Sequence, residues 1–390
     1  MTAVSEGAFS GNFENSRVHV VNAAGGPRFC LDRYDDVLAA FKDRRFGAAP
    51  ASPALLRALR WTGFGSIAAV VESGLLVALN PPDHTKLRKI VDPFFRSLET
   101  DGLKLRVQGI IDQLVWNIDK ASHFDLVADF AAPLPTQIIT ELIGFPESDV
   151  AQLKQWTSAL APLIDSDLQR AELVQRMKAF SAFRRRVESL IKDRLRDPRE
   201  DLLSKLAHAH YVTGELSQAE IVGTAMFVLS AGHATTTHLI GTGVLSLLEH
   251  PRELDRLRDD MSLIDGAVDE MIRFNSPIQR TGRVLLEEIE IRDQRIPRRA
   301  KVRLMIGEAN RDPRRFENPA RFDILRPRNR HVGFGGGIHQ CIGLHLARVE
   351  ARMAIAALIQ RFPGLTRAGD QTRWIHGTKF RGLAELALRK

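Results

Sequence analysis

The chain has 390 residues, 44% of them hydrophobic and 26% charged, which excludes a disordered, collagen-like or disulfide-scaffold protein and allows a large core. Its 55 Lys and Arg outnumber 47 Asp and Glu, for a net charge of +8. Cys30 and Cys341 are its only cysteines. That number excludes a zinc site built from Cys pairs and fits a reducing cytoplasm.

The N-terminal stretch has neither a basic n-region nor an apolar h-region, so no signal peptide or anchor is expected there. A β-rich part is expected near the N-terminus, and helical signals dominate from about residue 83 to 275. Ser217-x-x-Glu220 is a capping box, and His250-Pro251 is a stop, because a residue before proline is pushed out of the α region. Together they predict one helix of roughly 33 residues, about 50 Å long. Between Glu220 and Glu249, 28 residues carry no Asp, Glu, Lys or Arg, enough to span a bilayer. Yet Ser230, His233, Thr235, Thr236, Thr237 and His238 lie in that run, and no Lys or Arg flanks it. It therefore reads as a buried core helix rather than a membrane span.

Short strands follow at Arg283–Leu286 and Glu288–Ile291, with a turn at Asp293-Gln294 and a further strand at Lys301–Ile306. Residues 310–337 are rich in Pro, Gly, Asn and Arg and predict a long ordered loop, a kind that is usually functional. After Cys341 a helix resumes to about residue 361, with Ile342, Leu346, Val349, Met353 and Ala356 on one face. The expected fold is mainly α with small β-sheets, one domain over 1–390 whose helical core covers about 83–275 and 341–361. Arg184-Arg185-Arg186 and Arg194–Arg199, interleaved with Glu188 and Asp193, read as a solvated helix face. Without interleaved aromatics they do not suggest nucleic acid.

The densest chemistry lies in Phe334-Gly335-Gly336-Gly337-Ile338-His339-Gln340-Cys341-Ile342-Gly343. A glycine-rich loop delivers a cysteine to a helix N-terminus, where unpaired amides and the dipole favour a thiolate. No dinucleotide fingerprint or Walker A loop fits these residues. A buried small hydrophobe, a nucleophile paired with His339 and a metal-ligating thiolate all stay open on residue chemistry alone.

Residues 334–343 match every fixed position of Phe-Gly-x-Gly-x-His-x-Cys-x-Gly, and so the segment resembles the heme-ligand loop of the cytochrome P-450 family. Ala231-Gly232-His233-Ala234-Thr235-Thr236 resembles that family's oxygen-activation motif, and Glu270-Met-Ile-Arg273 its Glu-x-x-Arg. Pro319-Ala-Arg321-Phe322 resembles the Pro-x-Arg-Phe that follows. Asn80-Pro-Pro-Asp-His84-Thr-Lys-Leu-Arg88 looks like the helix that meets the heme propionates, and His331-Val-Gly-Phe334 fits the bacterial branch.

The resemblance implies a long central helix lying over heme b, with Cys341 as the axial ligand of the iron and Gly343 among the cofactor-binding residues. It implies propionate contacts from His84, Arg88, Arg283, His331 and His339, and Phe334 packed beside the sulfur. Glu270, Arg273 and Arg321 would pin the cysteine loop. Thr235 would hydrogen-bond dioxygen; Ala234 departs from the pattern, which has an acid there. The implied activity is insertion of one oxygen atom from O2 into a small lipophilic substrate. Electrons would come from an external ferredoxin and reductase, steered by Lys89, Arg348 and Arg352. Residues 60–78, 226–235 and Pro277–Thr281 would wall the pocket, with Phe227, Ala231 and Ile278 on the substrate and Arg280 facing a substrate carboxylate. Ala234 motivates a peroxide-driven or non-hydroxylating alternative. A heme-binding sensor without turnover and a cysteine hydrolase are the other classes.

Overall fold

The structure, a computed structural model, describes residues 18–23, 26–49, 53–61, 65–98, 101–153, 155–156, 170–369, 372–375, 377 and 379–390. The N-terminal stretch and residues 62–64 of the expected pocket wall lie outside these. The chain divides into two compact units built from interleaved segments. The first holds residues 1–49, 107–134 and 235–390; the second holds 50–106 and 135–234.

The first unit contains a five-stranded sheet in the order His19–Ala23, Gly26–Leu31, Lys301–Met305, Arg280–Leu285, Phe46–Gly47. Gly26–Leu31 runs parallel to Lys301–Met305, and the other neighbours are antiparallel. Alternation along these strands buries Leu31, Leu285, Val302 and Leu304 in one core with Val37, Ala40 and Phe41 of the Tyr34–Lys42 helix. The predicted strands are all present. Arg280–Leu285 begins three residues earlier than its hydrophobic run, because antiparallel pairing with Lys301–Met305 extends to Arg280. Gln294–Ile296 returns on Ile289–Ile291 through Arg292 and Asp293, both at positive φ (50° and 57°), a two-residue hairpin turn.

In the second unit helices dominate. Asp201 caps the Leu202–Tyr211 helix by accepting the Ser204 amide, and the buried Arg194 guanidinium reaches both Asp201, at 2.5 Å, and the Gly144 carbonyl. Gly74 and Gly223 let two backbones touch: a Cβ on either would sit 2.6 or 2.4 Å from the other's Cα.

The long helix runs Gln218–Glu249. Its capping box forms as expected: Ser217 N–H donates to Glu220 at 2.7 Å, and Glu220 N–H to the Ser217 hydroxyl at 3.3 Å. No helix among the described residues is long and apolar enough to cross a membrane. The helix after the cysteine spans Leu344–Arg361, beginning past Cys341 with Gly343 as its cap. Its buried face is Leu346, Glu350, Ala351, Ala354, Ile355 and Leu358. Of the expected stripe, only Leu346 is buried; Val349, Met353 and Ala356 are half-buried. A carboxylate on the buried face had misplaced the stripe by about one residue.

Candidate functional site

Cys341 closes its own loop. Its amide donates to the Phe334 carbonyl at 2.9 Å, and a short turn at Gly337–His339 precedes it. Gly335 and Gly337 adopt left-handed φ of 67° and 63°, where a side chain would be strained. A Cβ on Gly337 would lie 2.0 Å from the Phe41 carbonyl oxygen. These glycines therefore serve close packing against the Tyr34–Lys42 helix, a protein contact that the sequence alone did not distinguish from ligand approach. The two cysteines differ sharply. Cys30 is buried and its thiol is pushed up to about 11, mainly by burial, whereas Cys341 is half-exposed ahead of a helix N-terminus. Only the second is placed to act as a thiolate.

The loop is held from the Ile264–Phe274 helix. Glu270 and Arg273 are fully buried and make a two-point pair at 2.7 and 2.8 Å. Arg273 also donates to the carbonyls of Asn310, Pro319 and Arg321. Glu270 accepts the Asp323 amide, the Asn329 amide group and Arg326. Arg321 corrects the expectation: its side chain is exposed, and it contributes only a backbone carbonyl. Arg326 supplies the second guanidinium, with its carboxylate contact at 3.2 Å.

The neighbouring carboxylate, Asp269, holds the two ends of the cysteine segment. It faces His331 Nε2 at 3.5 Å and Arg348 at 2.8 Å. Burial works to raise its pKa, but His331 and Arg348 outweigh it and keep the carboxyl below its ordinary value. His331 Nδ1 meanwhile accepts the Gly333 amide at 3.2 Å. His331 is thus tied to its own loop through Nδ1, while its buried Nε2 makes no hydrogen bond of normal geometry. Arg348 also lies over the Phe334 ring at 5.1 Å, and Arg352 pairs with Asp265. The two arginines expected to steer an electron donor are thus partly neutralised. Lys89, the third, is exposed.

Arg283 presents the opposite situation. It is buried, and burial holds its guanidinium down at about 10. Its partners are the Gly282 carbonyl at 2.9 Å, the Thr281 hydroxyl at 3.5 Å and the Phe41 ring at 5.8 Å. No carboxylate meets it among the described residues, whereas buried Arg194 and Arg273 both have one. Phe41 is shared by Arg283 and the glycine loop, which brings this unmatched cation to the cysteine segment. Arg280 does not join it. Strand alternation sets Arg280 with Met305, on the face that carries Cys30, whose thiol feels its charge.

The long helix is buried on both sides of a central opening. Ala231 is exposed and Phe227, Ser230, Ala234 and Thr235 are half-buried, at positions three or four apart. That spacing is one helix face, so Phe227 and Ala231 share it with Ala234 and Thr235. Gly232 instead packs tightly on Ile139; a Cβ there would meet its Cγ1 at 2.6 Å. Ile278 is half-buried and bridges to Phe380. In the second unit, His84 is buried on the Asp83–Arg96 helix, and Arg88 pairs with Asp92 at 2.7 Å. The assignment of these two to a cofactor rests on their motif and not on a distance.

Glu350 is the residue the sequence reading missed. It is 1% exposed, and neither carboxylate oxygen has a hydrogen-bond partner of normal geometry. Burial pushes it up to about 8, tempered only by the hydroxyl of Thr236, the residue after Thr235. The two helices are brought together nearby at Gly243, where a Cβ would lie 3.4 Å from Ile355. Glu350 lies nine residues after Cys341 in a helix with many charges, and only packing reveals it as a buried acid that is neutral at neutral pH.

The donor set fits heme. A thiol is accessible at a helix N-terminus, a buried cation lacks an anion, and an apolar helix opens along one face beside a threonine. The chain matches the family model described as Cytochrome P450 over residues 136–383. It is similar to the polyketide biosynthesis cytochrome P450 PksS of Bacillus subtilis (strain 168), at 35% identity over 92% of this chain and 88% of that one. It is 33% identical to 6-deoxyerythronolide B hydroxylase of Saccharopolyspora erythraea, over 96% of this chain and 93% of the relative. Among solved structures, P450BioI in complex with an acyl carrier protein ligated to hexadec-9Z-enoic acid superposes with a TM-score of 0.88. The identity is 33%, covering 95% of this chain and 94% of that one. The chain belongs to the cytochrome P450 family and is a heme-thiolate monooxygenase.

Proposed function

We propose that this enzyme binds heme b through Cys341 and hydroxylates a lipophilic acyl or polyketide chain, drawing electrons from an external ferredoxin and reductase in the cytoplasm. The observation that carries the substrate class is the open face of the long helix, where Phe227 and Ala231 flank Thr235 with no charged side chain between them. Such a face accepts apolar chain and offers it the hydroxyls of Ser230 and Thr235. The relatives named for polyketide biosynthesis and for an acyl carrier protein complex support this reading.

Heme, when bound, supplies dioxygen binding and activation. The chain's own residues do the rest. Cys341 provides a thiolate stabilised by the amides of the following helix. Arg283 and His339 are the proposed partners for one propionate, with His84 and Arg88 for the other. Thr235 would supply a hydroxyl hydrogen bond on the open face of the long helix, where the oxygen chemistry would take place. Ala234 cannot relay a proton, and Glu350 is proposed to hold one in its place: its carboxyl is protonated below about pH 8 and lies against Thr236. A retained proton source favours oxygen-driven turnover over the peroxide-driven alternative that Ala234 had suggested.

The test is a spectral titration with straight-chain fatty acids, macrolactones and steroids, read as displacement of iron-bound water. Fatty acids or macrolactones should give the saturating shift. A shift with steroids alone would overturn the substrate class.

A further inference from the structure

One face of the Arg170–Arg196 helix carries a row of cations that no ion pair among the described residues neutralises. Lys178, Arg185, Lys192 and Arg196 are all exposed. They are separated by seven, seven and four residues, so at 100° per residue they lie within roughly 40° of one another. Ser181 and Ser189 fill the gaps on that face, and no Asp or Glu falls on it. Exposed Asp193 borders the stripe, and the arginines beside it are already paired. Arg184 pairs with Glu188 at 3.5 Å, Arg186 with Asp149 at 2.6 Å and Arg194 with Asp201 at 2.5 Å. None of the four stripe residues has an ion pair among the described residues.

The stripe is about 27 Å long, with successive charges about 10, 10 and 6 Å apart at the rise of an α-helix. A second helix laid along it would present carboxylates at the same intervals. The spacing suits a helix better than a nucleic-acid backbone, whose phosphates are closer together, and the stripe has no aromatic side chain to stack on bases. It also lacks the apolar flank by which an amphipathic helix enters a lipid surface.

We propose that this face docks an acidic helix of a small carrier protein that delivers the substrate while still covalently attached to it. The inference rests on the acyl or polyketide reading above, because such chains are built on carriers of this kind. Complementary charge along a helix fixes the docking register and speeds encounter more than it adds affinity, and it weakens with salt.

The experiment uses the full-length holoenzyme and two variants: K178E/R185E/K192E/R196E, and the neutral K178Q/R185Q/K192Q/R196Q in case charge reversal impairs folding. A fluorescent bacterial acyl carrier protein, with and without a hexadecanoyl chain, is titrated by anisotropy. Free hexadecanoic acid is titrated by its heme spectral shift. Wild type should bind both carrier forms at low salt and release them at high salt. The variants should bind both carrier forms at least tenfold more weakly, yet bind free hexadecanoic acid as wild type does. Loss of the fatty-acid shift in wild type with carrier binding intact would overturn the chain reading and leave the dock standing. Equal carrier affinity in wild type and both variants overturns the dock. So does loss of ferredoxin reduction or of binding to anionic phosphatidylglycerol vesicles without loss of carrier binding, which would assign the stripe to an electron donor or a membrane surface.

Discussion

Glu350 is a buried carboxyl raised well above its ordinary range by burial, and the sign of its effect on stability can be worked out. Its carboxyl is pushed up to about 8 in the folded protein, by burial, against about 4.5 as an exposed group. The folded state therefore holds a proton that the unfolded state releases, so stability is full below about pH 4.5 and falls as pH rises through about 8. The loss amounts to a few kcal/mol at most. Glu350→Gln should flatten the melting temperature between pH 5 and 9 and leave the variant the more stable protein at the alkaline end. If the proton it holds is used in turnover, the same variant should also yield less product per reduced nicotinamide consumed. A melting profile that falls identically in both proteins would show that Glu350 does not titrate there. Arg283 is the matching case of opposite charge. Buried without a carboxylate, it is expected to need the cofactor's anion. Arg283→Gln should lose heme to a scavenging apoprotein roughly ten to a hundred times faster, the scale of one charge-assisted hydrogen bond. Arg283→Lys should recover part of that. Unchanged heme loss in Arg283→Gln would remove the propionate assignment.

Between elements, the Ile264–Phe274 helix does the positioning. Glu270 gathers Arg273, Arg326, Asn329 and the Asp323 amide, while Asp269 next to it gathers His331 and Arg348 from the two ends of the cysteine segment. Removing one partner of a fully buried pair typically costs about 3–5 kcal/mol. Glu270→Ala should accordingly yield little heme-loaded protein. Arg326→Ala should lower the melting temperature measurably, and Arg321→Ala should change it hardly at all. Equal effects at 321 and 326 would contradict the assignment of the second guanidinium to Arg326. This is where sequence reading stopped short. Glu270 and Arg273 were legible from their spacing, and the capping box at Ser217 and Glu220 located the long helix almost to the residue. The choice between Arg321 and Arg326 was not legible, because it depends on how a strand-free stretch folds back on a helix some fifty residues away. The buried face of the last long helix was misread because periodicity counts apolar residues, and here a carboxylate is buried.

For the whole molecule, composition excluded the disordered, collagen-like and disulfide-scaffold classes, and a ten-residue loop identified the chemistry. Packing then separated the two cysteines, one an inert buried thiol and the other held half-exposed by a loop that its own amide closes. That loop tolerates little. Gly337→Ala should destabilise it, since a Cβ would collide with the Phe41 carbonyl and the residue sits at positive φ. The prediction is reduced heme content in a protein whose far-ultraviolet dichroism is unchanged, and full heme content would argue against it. Everything about activity rests on the sulfur of Cys341 reaching iron. The most direct measurement is the absorption spectrum of the reduced carbon monoxide complex in wild type and Cys341→His. Wild type should show the strongly red-shifted Soret band that thiolate ligation produces, and Cys341→His should lose it while keeping a shorter-wavelength carbon monoxide band. The same red-shifted band in the variant, or none in heme-loaded wild type, would contradict the assignment of Cys341 as the ligand.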